Sequence, residues 1–360
     1  MNRFTKIIFI TLFSLFMVSC SSAQKSPQSK EQNSIGQADN KIQVQQKEQQ
    51  PKKIEISEKE NKENVNYNEA GKVMILMFHN FSDKEKDEWT RSFENYKKDL
   101  QILYDKGYRP VNLRDYIEGN IDIPAGYTPV VFTFDDGTSG QFNLIEQDGK
   151  LVASPKSAVG IMEEFCRAHP DFPLKGTFFI NHTGFFHGKG TSQQRLKYLT
   201  EKGFEIGNHT IDHVNLRKVS TAQEVQKQIG GHVKKTSELL PGYIEDELAL
   251  PLGITSKKFP KYIEKGEYEG TKYQNRVILL VGANPALSPI DKKIDLLKLP
   301  RVRGRGNKPV ELDMYYWLNY FDKNPSERFI SDGDKDNFTI PIKYQDKISN
   351  RINKNIVLLK

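Results

Sequence analysis

Two short runs in this 360-residue chain gather the residue types that can do hydrolytic chemistry. The first is Thr133-Phe134-Asp135-Asp136-Gly137, and the second is Asn208-His209-Thr210-Ile211-Asp212-His213. Between them they offer carboxylates and imidazoles, the donors of a catalytic zinc-type site. Asp136 with His209 and His213 would make a two-histidine, one-carboxylate set, which leaves coordination positions open for water. The two histidines are four apart, so one helical turn would bring both to one face. An isolated Asp-Asp-Gly is more often only a turn, with Gly137 supplying the tight bend. The histidine pair is what lifts the run above that reading.

The elements that must position these residues can be read from periodicity. Val130-Val131-Phe132 leads into Thr133 and reads as a buried strand. Both aspartates are therefore expected at its C-terminal end, where barrel and open α/β enzymes carry their chemistry. Further strands are expected at residues 73–78, 176–180, 204–206, 248–251 and 277–281. Helical patterns cover residues 93–106, stopped by Gly107, then 115–118, 157–168, 193–202 and 221–239. Residues 142–152, centred on Asp148-Gly149, look like an inserted hairpin. Strand-helix alternation predicts an α/β fold with a parallel sheet, most simply a (β/α) barrel. Beyond about residue 304 the pattern is less periodic and is expected to extend the same domain.

These residues carry a family resemblance. Thr133-Phe134-Asp135-Asp136-Gly137 and His209-Thr210-Ile211-Asp212-His213 are similar to the first two motifs of the polysaccharide deacetylases, carbohydrate esterase family 4, which share the NodB-homology domain. Gly176-Thr177-Phe178-Phe179-Ile180 resembles the family's small-Thr-Phe-Phe-aliphatic strand, and the stretch from Leu199 to His209 resembles its helix-turn-strand approach to the histidines. The likeness spans roughly residues 72 to 303. It implies a distorted parallel (β/α) barrel of the polysaccharide deacetylase type. It also implies hydrolysis of N-acetyl groups from N-acetylglucosamine units of peptidoglycan or a related cell-surface polysaccharide. One divalent metal ion would be held by Asp136, His209 and His213, zinc first, with cobalt or nickel as alternatives. Asp135 is then the candidate general base, because Asp136 is occupied by the metal.

Two departures from the family pattern matter. The late histidine that serves many members as general acid is missing, since the last histidine here is His232. Leu76-Met77-Phe78-His79 resembles the Leu-Met-Tyr-His opening of circularly permuted members, in which an early histidine fills that position. The resemblance thus makes His79 the candidate acid, with a satisfied histidine at a strand end as the competing reading. The family's Arg-x-Pro-x-Gly motif, whose arginine orients the catalytic aspartate, corresponds to Ala249-Leu250-Pro251-Leu252-Gly253, so Ala249 replaces the arginine. Leu299-Pro300-Arg301-Val302-Arg303 resembles a strand of the permuted subgroup, and Arg301 becomes the candidate cation for Asp135. An ordinary surface or salt-bridge arginine is the competing reading. The Ala249 departure keeps a second function open, a catalytically weak or inactive wall-binding lipoprotein of the same fold. A third is a metal-dependent amide hydrolase acting on something other than a polysaccharide.

Composition bounds the setting. Asn2-Arg3-Phe4-Thr5-Lys6 precedes an apolar run from Ile7 to Val18, a signal-peptide pattern too short for a comfortable membrane span. It ends at Met17-Val18-Ser19-Cys20, which resembles a bacterial lipoprotein cleavage box with Cys20 as the lipidated N-terminus. An ordinary secretory signal is the alternative. The expected organisation is a signal peptide at 1–20, a disordered polar linker at 21–66 without an aromatic residue, and a catalytic domain at 67–360. The expected location is exported, anchored to the bacterial membrane by its lipid and facing the cell envelope. Cys166, the other of two cysteines, lies in a helical pattern and reads as a buried inert thiol, so no disulfide is expected. The net charge of +7 is scattered among acidic residues. There is no helix-turn-helix, zinc finger or aromatic-interleaved basic patch, so no nucleic-acid partner is expected. His182 and His187 are five apart in a glycine-bearing stretch and are set aside as ligands. Phe185 and Phe186 between them suit either a sugar-stacking rim or core packing, and His169 and His232 read as surface residues.

Overall fold

A computed structural model of the chain describes residues 56–59 and 66–360. The expected signal peptide, Cys20 and nearly all of the expected linker lie outside the described residues. Seven parallel strands form the central curled sheet. They are β1 (Met74–Phe78), β2 (Thr128–Asp136), β3 (Thr177–Ile180), β4 (Glu205–Asn208), β5 (Glu247–Ala249), β6 (Val277–Leu279) and β7 (Val302–Arg303). Across the sheet they run β6-β5-β4-β3-β2-β1-β7. An eighth strand, Tyr108–Val111, pairs with the first half of β2, and β3 pairs with the second half.

The two ends of this sheet meet in one segment. The Leu299 amide donates to Ile278 O, and the Leu280 amide donates to Leu299 O, both at 2.9 Å. Three residues on, β7 pairs with Leu76 and Met77 of β1. Residues 299–303 therefore touch the first strand and the sixth, and the sheet closes as a distorted (β/α) barrel.

Buried on both faces, these strands are almost continuously apolar in sequence. Their period-two alternation sorts the side chains into two layers. Leu76, Phe78, Phe132, Phe134, Phe178 and Val302 belong to the cluster under the helices. Those helices are α1 (Phe93–Asp105), α3 (Ala158–Ala168), α4 (Ser192–Glu201) and the helix Met314–Lys323, the short α2 being Leu113–Glu118. Val73, Ile75, Val131, Phe179, Leu279 and Leu299 form the opposite, inner cluster. Thr133, Asp135 and Arg301 occupy the same alternate positions as that inner set. Helix α5 (Ala222–Leu239) packs over Leu248 and Ile278. Ser92, Ser157, Thr191 and Thr221 cap helices by accepting from the backbone amide three residues on, as sequences of this kind do.

The hairpin expected around Asp148-Gly149 forms between Asn143–Gln147 and Lys150–Ala153, with both turn residues at positive φ. Phe185 and Phe186, left open between a rim and the core, are core residues. Other expectations are corrected. His232 is wholly buried, and His169 is half-buried between Phe165 and Tyr104, so neither is a plain surface residue. Cys166 is half-buried, and burial pushes its thiol up to about 12, which suits an inert side chain. Residues Ile56–Lys59, inside the stretch read as a linker, pair in parallel with Asn355–Leu359, which pairs in turn with Asn337–Pro341. The region beyond 304 thus contributes the Met314–Lys323 helix and a small parallel sheet. Among the described residues no helix is long and apolar enough to cross a membrane.

Candidate active site

Strand β2 is the axis of the site. Its alternation sends Thr133 and Asp135 inward, and Asp135 ends almost completely buried. Arg301, also wholly buried, meets it with both terminal nitrogens: Nη1 donates to Asp135 Oδ1 at 2.7 Å and Nη2 to Oδ2 at 2.6 Å. The guanidinium is itself fixed by Thr133 Oγ1 at 3.1 Å and by Leu280 O at 2.9 Å. This is the bidentate fork that arginine alone among cations can present. Burial would raise the Asp135 pKa. The charges of Arg301 and His209 outweigh it and hold the carboxyl well below the usual carboxylate range.

Asp136 breaks the alternation. Its φ is 80°, and Gly137 follows at 67°, so the chain turns sharply where the strand ends. The carboxylate is thereby placed against two imidazoles, with Oδ1 at 3.4 Å from both His209 Nε2 and His213 Nε2. Among the described residues, Asp136, His209 and His213 are the group able to hold a metal ion, their donor atoms lying within 4.8 Å of one another. Zinc bonds of 2.0–2.2 Å at tetrahedral angles would separate adjacent donors by about 3.4 Å. His209 Nδ1 lies 2.8 Å from Ala249 O. A carbonyl only accepts, so Nδ1 carries a hydrogen, which leaves Nε2, the nitrogen facing Asp136, as the one that can offer a lone pair to a metal ion. Ala249, which lacks the family's arginine side chain, thus serves the site through its backbone. The expected helical turn between the histidines is not there. They sit on an irregular loop after β4, with Thr210 and His213 at positive φ. That loop is held by the Ile211 amide donating to Gln228 O and the Asp212 amide donating to Gln228 Oε1, both at 3.1 Å.

His79 follows β1, beside β2 in the sheet, and its Nε2 lies 3.9 Å from Asp135 Oδ2. Burial lowers its pKa below the ordinary imidazole value, against the opposing pull of Asp135 and Asp136. The structure therefore brings together all six residues singled out within the domain: His79, Asp135, Asp136, His209, His213 and Arg301. It adds two that sequence reasoning missed. Gln141 Nε2 donates to the carbonyls of both His79 and Asp135, tying the two strand ends to one amide. Trp89 lies against His79 with ring centres 4.6 Å apart, and the Arg303 guanidinium covers the indole at 3.8 Å. Nothing in the spacing of Gln141 or Trp89 marks them. Trp89 was findable only as an aromatic residue in a highly charged loop.

Residues 123–270 match the sequence model of the family described as polysaccharide deacetylase. The chain carries a polysaccharide deacetylase domain. YxkH of Bacillus subtilis (strain 168), assigned by its name to the polysaccharide deacetylases, is 21% identical over 232 residues, covering 63% of this chain and 74% of that protein. The deacetylase domain also has the fold of two solved structures. BC0361, a polysaccharide deacetylase from Bacillus cereus, aligns at 18% identity with a TM-score of 0.51, covering 69% of this chain and 68% of its own. BA0330 from Bacillus anthracis gives 18% identity and a TM-score of 0.50 with the same coverage. The family match takes in Asp135, Asp136, His209 and His213 but neither His79 nor Arg301, which lie on either side of it. The deacetylase domain is a hydrolase that removes acetyl groups from a polysaccharide.

Proposed function

We propose that the domain hydrolyses N-acetyl groups of N-acetylglucosamine units in peptidoglycan or a related envelope polysaccharide, with one divalent metal ion at Asp136, His209 and His213. The observation that carries this reading is the division of labour between adjacent aspartates, one paired with Arg301 and the other faced by two imidazoles. A divalent ion held there supplies acidification of water and polarisation of the acetamide carbonyl. Two nitrogens and one carboxylate favour zinc, with cobalt or nickel as alternatives.

Asp135 accepts the proton of the attacking water. Arg301 keeps it ionised and fixes its plane, and each oxygen retains a lone pair for that proton. The water oxygen bonds to the acetyl carbon, the C–N bond breaks, and the departing amine takes a proton. His79 donates it, and Trp89 and the Gln141 bond to its carbonyl hold the imidazole where it stands. The products are acetate and a free amine. The early histidine and the arginine of the last barrel strand support membership of the permuted subgroup. The reading of a fold that lost turnover leaned on Ala249, and the Arg301–Asp135 pair removes most of its motive. Export and lipidation at Cys20 complete the proposal and would place the enzyme at the envelope.

The test is metal content together with acetate release from chito-oligomers, purified peptidoglycan and small acetamides. His209→Ala and His213→Ala lose bound zinc. Asp135→Asn and His79→Ala keep zinc and lose roughly 10²-fold or more in turnover. Unchanged zinc stoichiometry in both histidine variants removes the metal site. Near-normal turnover of His79→Ala removes the acid. Faster hydrolysis of small acetamides than of any polymer favours a different amide substrate.

A further inference from the structure

Ile180 ends β3 between the two strands that carry the proposed metal ligands. It pairs with Asp136 on one side and with Asn208, the residue before His209, on the other. Its carbonyl accepts two hydrogen bonds, from the His209 amide at 3.0 Å and from His232 Nε2 at 2.7 Å. His232 comes from α5, and its Nδ1 lies 2.7 Å from Glu245 Oε1. The His232 and Glu245 side chains are 0% and 1% exposed. Glu245 Oε2 has no hydrogen-bond partner among the described residues. His182 closes the other side, its ring 4.4 Å from that of His232 and its Nε2 3.1 Å from Thr236 Oγ1.

The chemistry of these partners fixes the protons. A carbonyl accepts only, so His232 Nε2 carries a hydrogen. Nδ1 meets Oε1 at 2.7 Å, a separation at which one of the two must carry a hydrogen for the other to accept. The result is a charge-assisted donor aimed at the second lone pair of Ile180 O. We propose that His232 and Glu245 are positioning residues for the metal site: by holding the Ile180 carbonyl they set the separation of Asp136 and His209. This inference rests on the metal reading above.

A buried ion pair is a poor way merely to fill space, since apolar residues of similar volume often stabilise a fold equally well. What an apolar pair cannot do is donate to Ile180 O. That difference supplies the test. Full-length protein, its His232→Leu/Glu245→Leu double variant and Glu245→Gln are compared by thermal unfolding in chelator and by competition of zinc alone against a chromogenic chelator. The double variant is expected to unfold near the wild-type temperature and to bind zinc about tenfold more weakly, the lower end of what partners of a metal ligand contribute. Glu245→Gln, which keeps the shape but loses the charge, is expected to weaken zinc binding by several-fold. A double variant that folds and binds zinc as the wild type does overturns the proposal. If the double variant does not fold, unchanged zinc affinity in Glu245→Gln overturns it. A wild-type protein that holds no zinc defeats the metal reading and this inference with it, whereas a zinc-binding wild type with unaffected variants defeats only the positioning role.

Discussion

Asp135 owes its ionisation chiefly to one neighbour. Among the described residues the fork from Arg301 is the one arginine or lysine bonded to it, and it acts in a buried setting where an uncompensated carboxylate is costly. Arg301→Met should therefore cost about 3–5 kcal/mol of stability in metal-free protein near neutral pH, measured by denaturant unfolding. Its pH dependence should also reverse. In the wild type the folded pKa of Asp135 is depressed. That contribution is complete above the unfolded value of about 3.9 and is lost as pH falls toward the folded one. In the variant, burial, the largest of the influences on this carboxyl, is opposed only by the imidazoles of His209 and His79, and the folded pKa should rise. Stability is then present at low pH and is lost as pH rises through the carboxylate range. A variant whose stability still climbs with pH across that range would mean that another group compensates Asp135. The two aspartates were legible because they close a strand signal. The partner of Asp135 was legible only through resemblance, since Arg301 is 166 positions away and no local pattern links them.

At the scale of elements, local rules held where neighbours in sequence decide the conformation. The Asp148-Gly149 hairpin, the Gly107 stop and the hydroxyl caps are such cases. They failed where distant residues decide. His209 and His213 converge without a helix, because Gln228 of α5 grips the loop between them. His232 was misread although a signal existed. It stands three beyond Ile229 and four before Thr236, on the same buried face as Val225. The turn after β2 offers a test of close packing. A Cβ on Gly140 would lie 2.0 Å from Phe81 O, a backbone atom in the strand that follows His79. Gly140→Ala should destabilise by about 1–3 kcal/mol in chemical denaturation, the usual range for overpacking. It should also lower turnover without loss of zinc, because Gln141 would no longer reach both carbonyls. Wild-type stability and turnover together would show that this turn yields freely.

The whole molecule joins, in chain order, an N-terminal segment proposed to anchor it and a barrel proposed to work on an envelope polymer. Cys20→Ala should release the protein from the membrane fraction or block its processing, as read by fractionation and by the mass of the mature chain. Retention with normal processing would point to another means of attachment. The barrel was legible from strand-helix alternation, which needs only periodicity. Its closure was not, because residues 299–303 are a short run whose partners lie in the first and sixth strands. That closure has a consequence in time. A ribosome delivers β2 long before it delivers Arg301, so a growing chain already owns Asp135, Asp136 and both loop histidines while the ring is open. Until residue 301 emerges, Asp135 lacks the cation that chiefly keeps it charged when buried. On the proposed roles, synthesis order acts as a safety catch: the unfinished chain has the parts of a hydrolase but its proposed base lacks the Arg301 fork, and the strand that completes the barrel is the one that arms it.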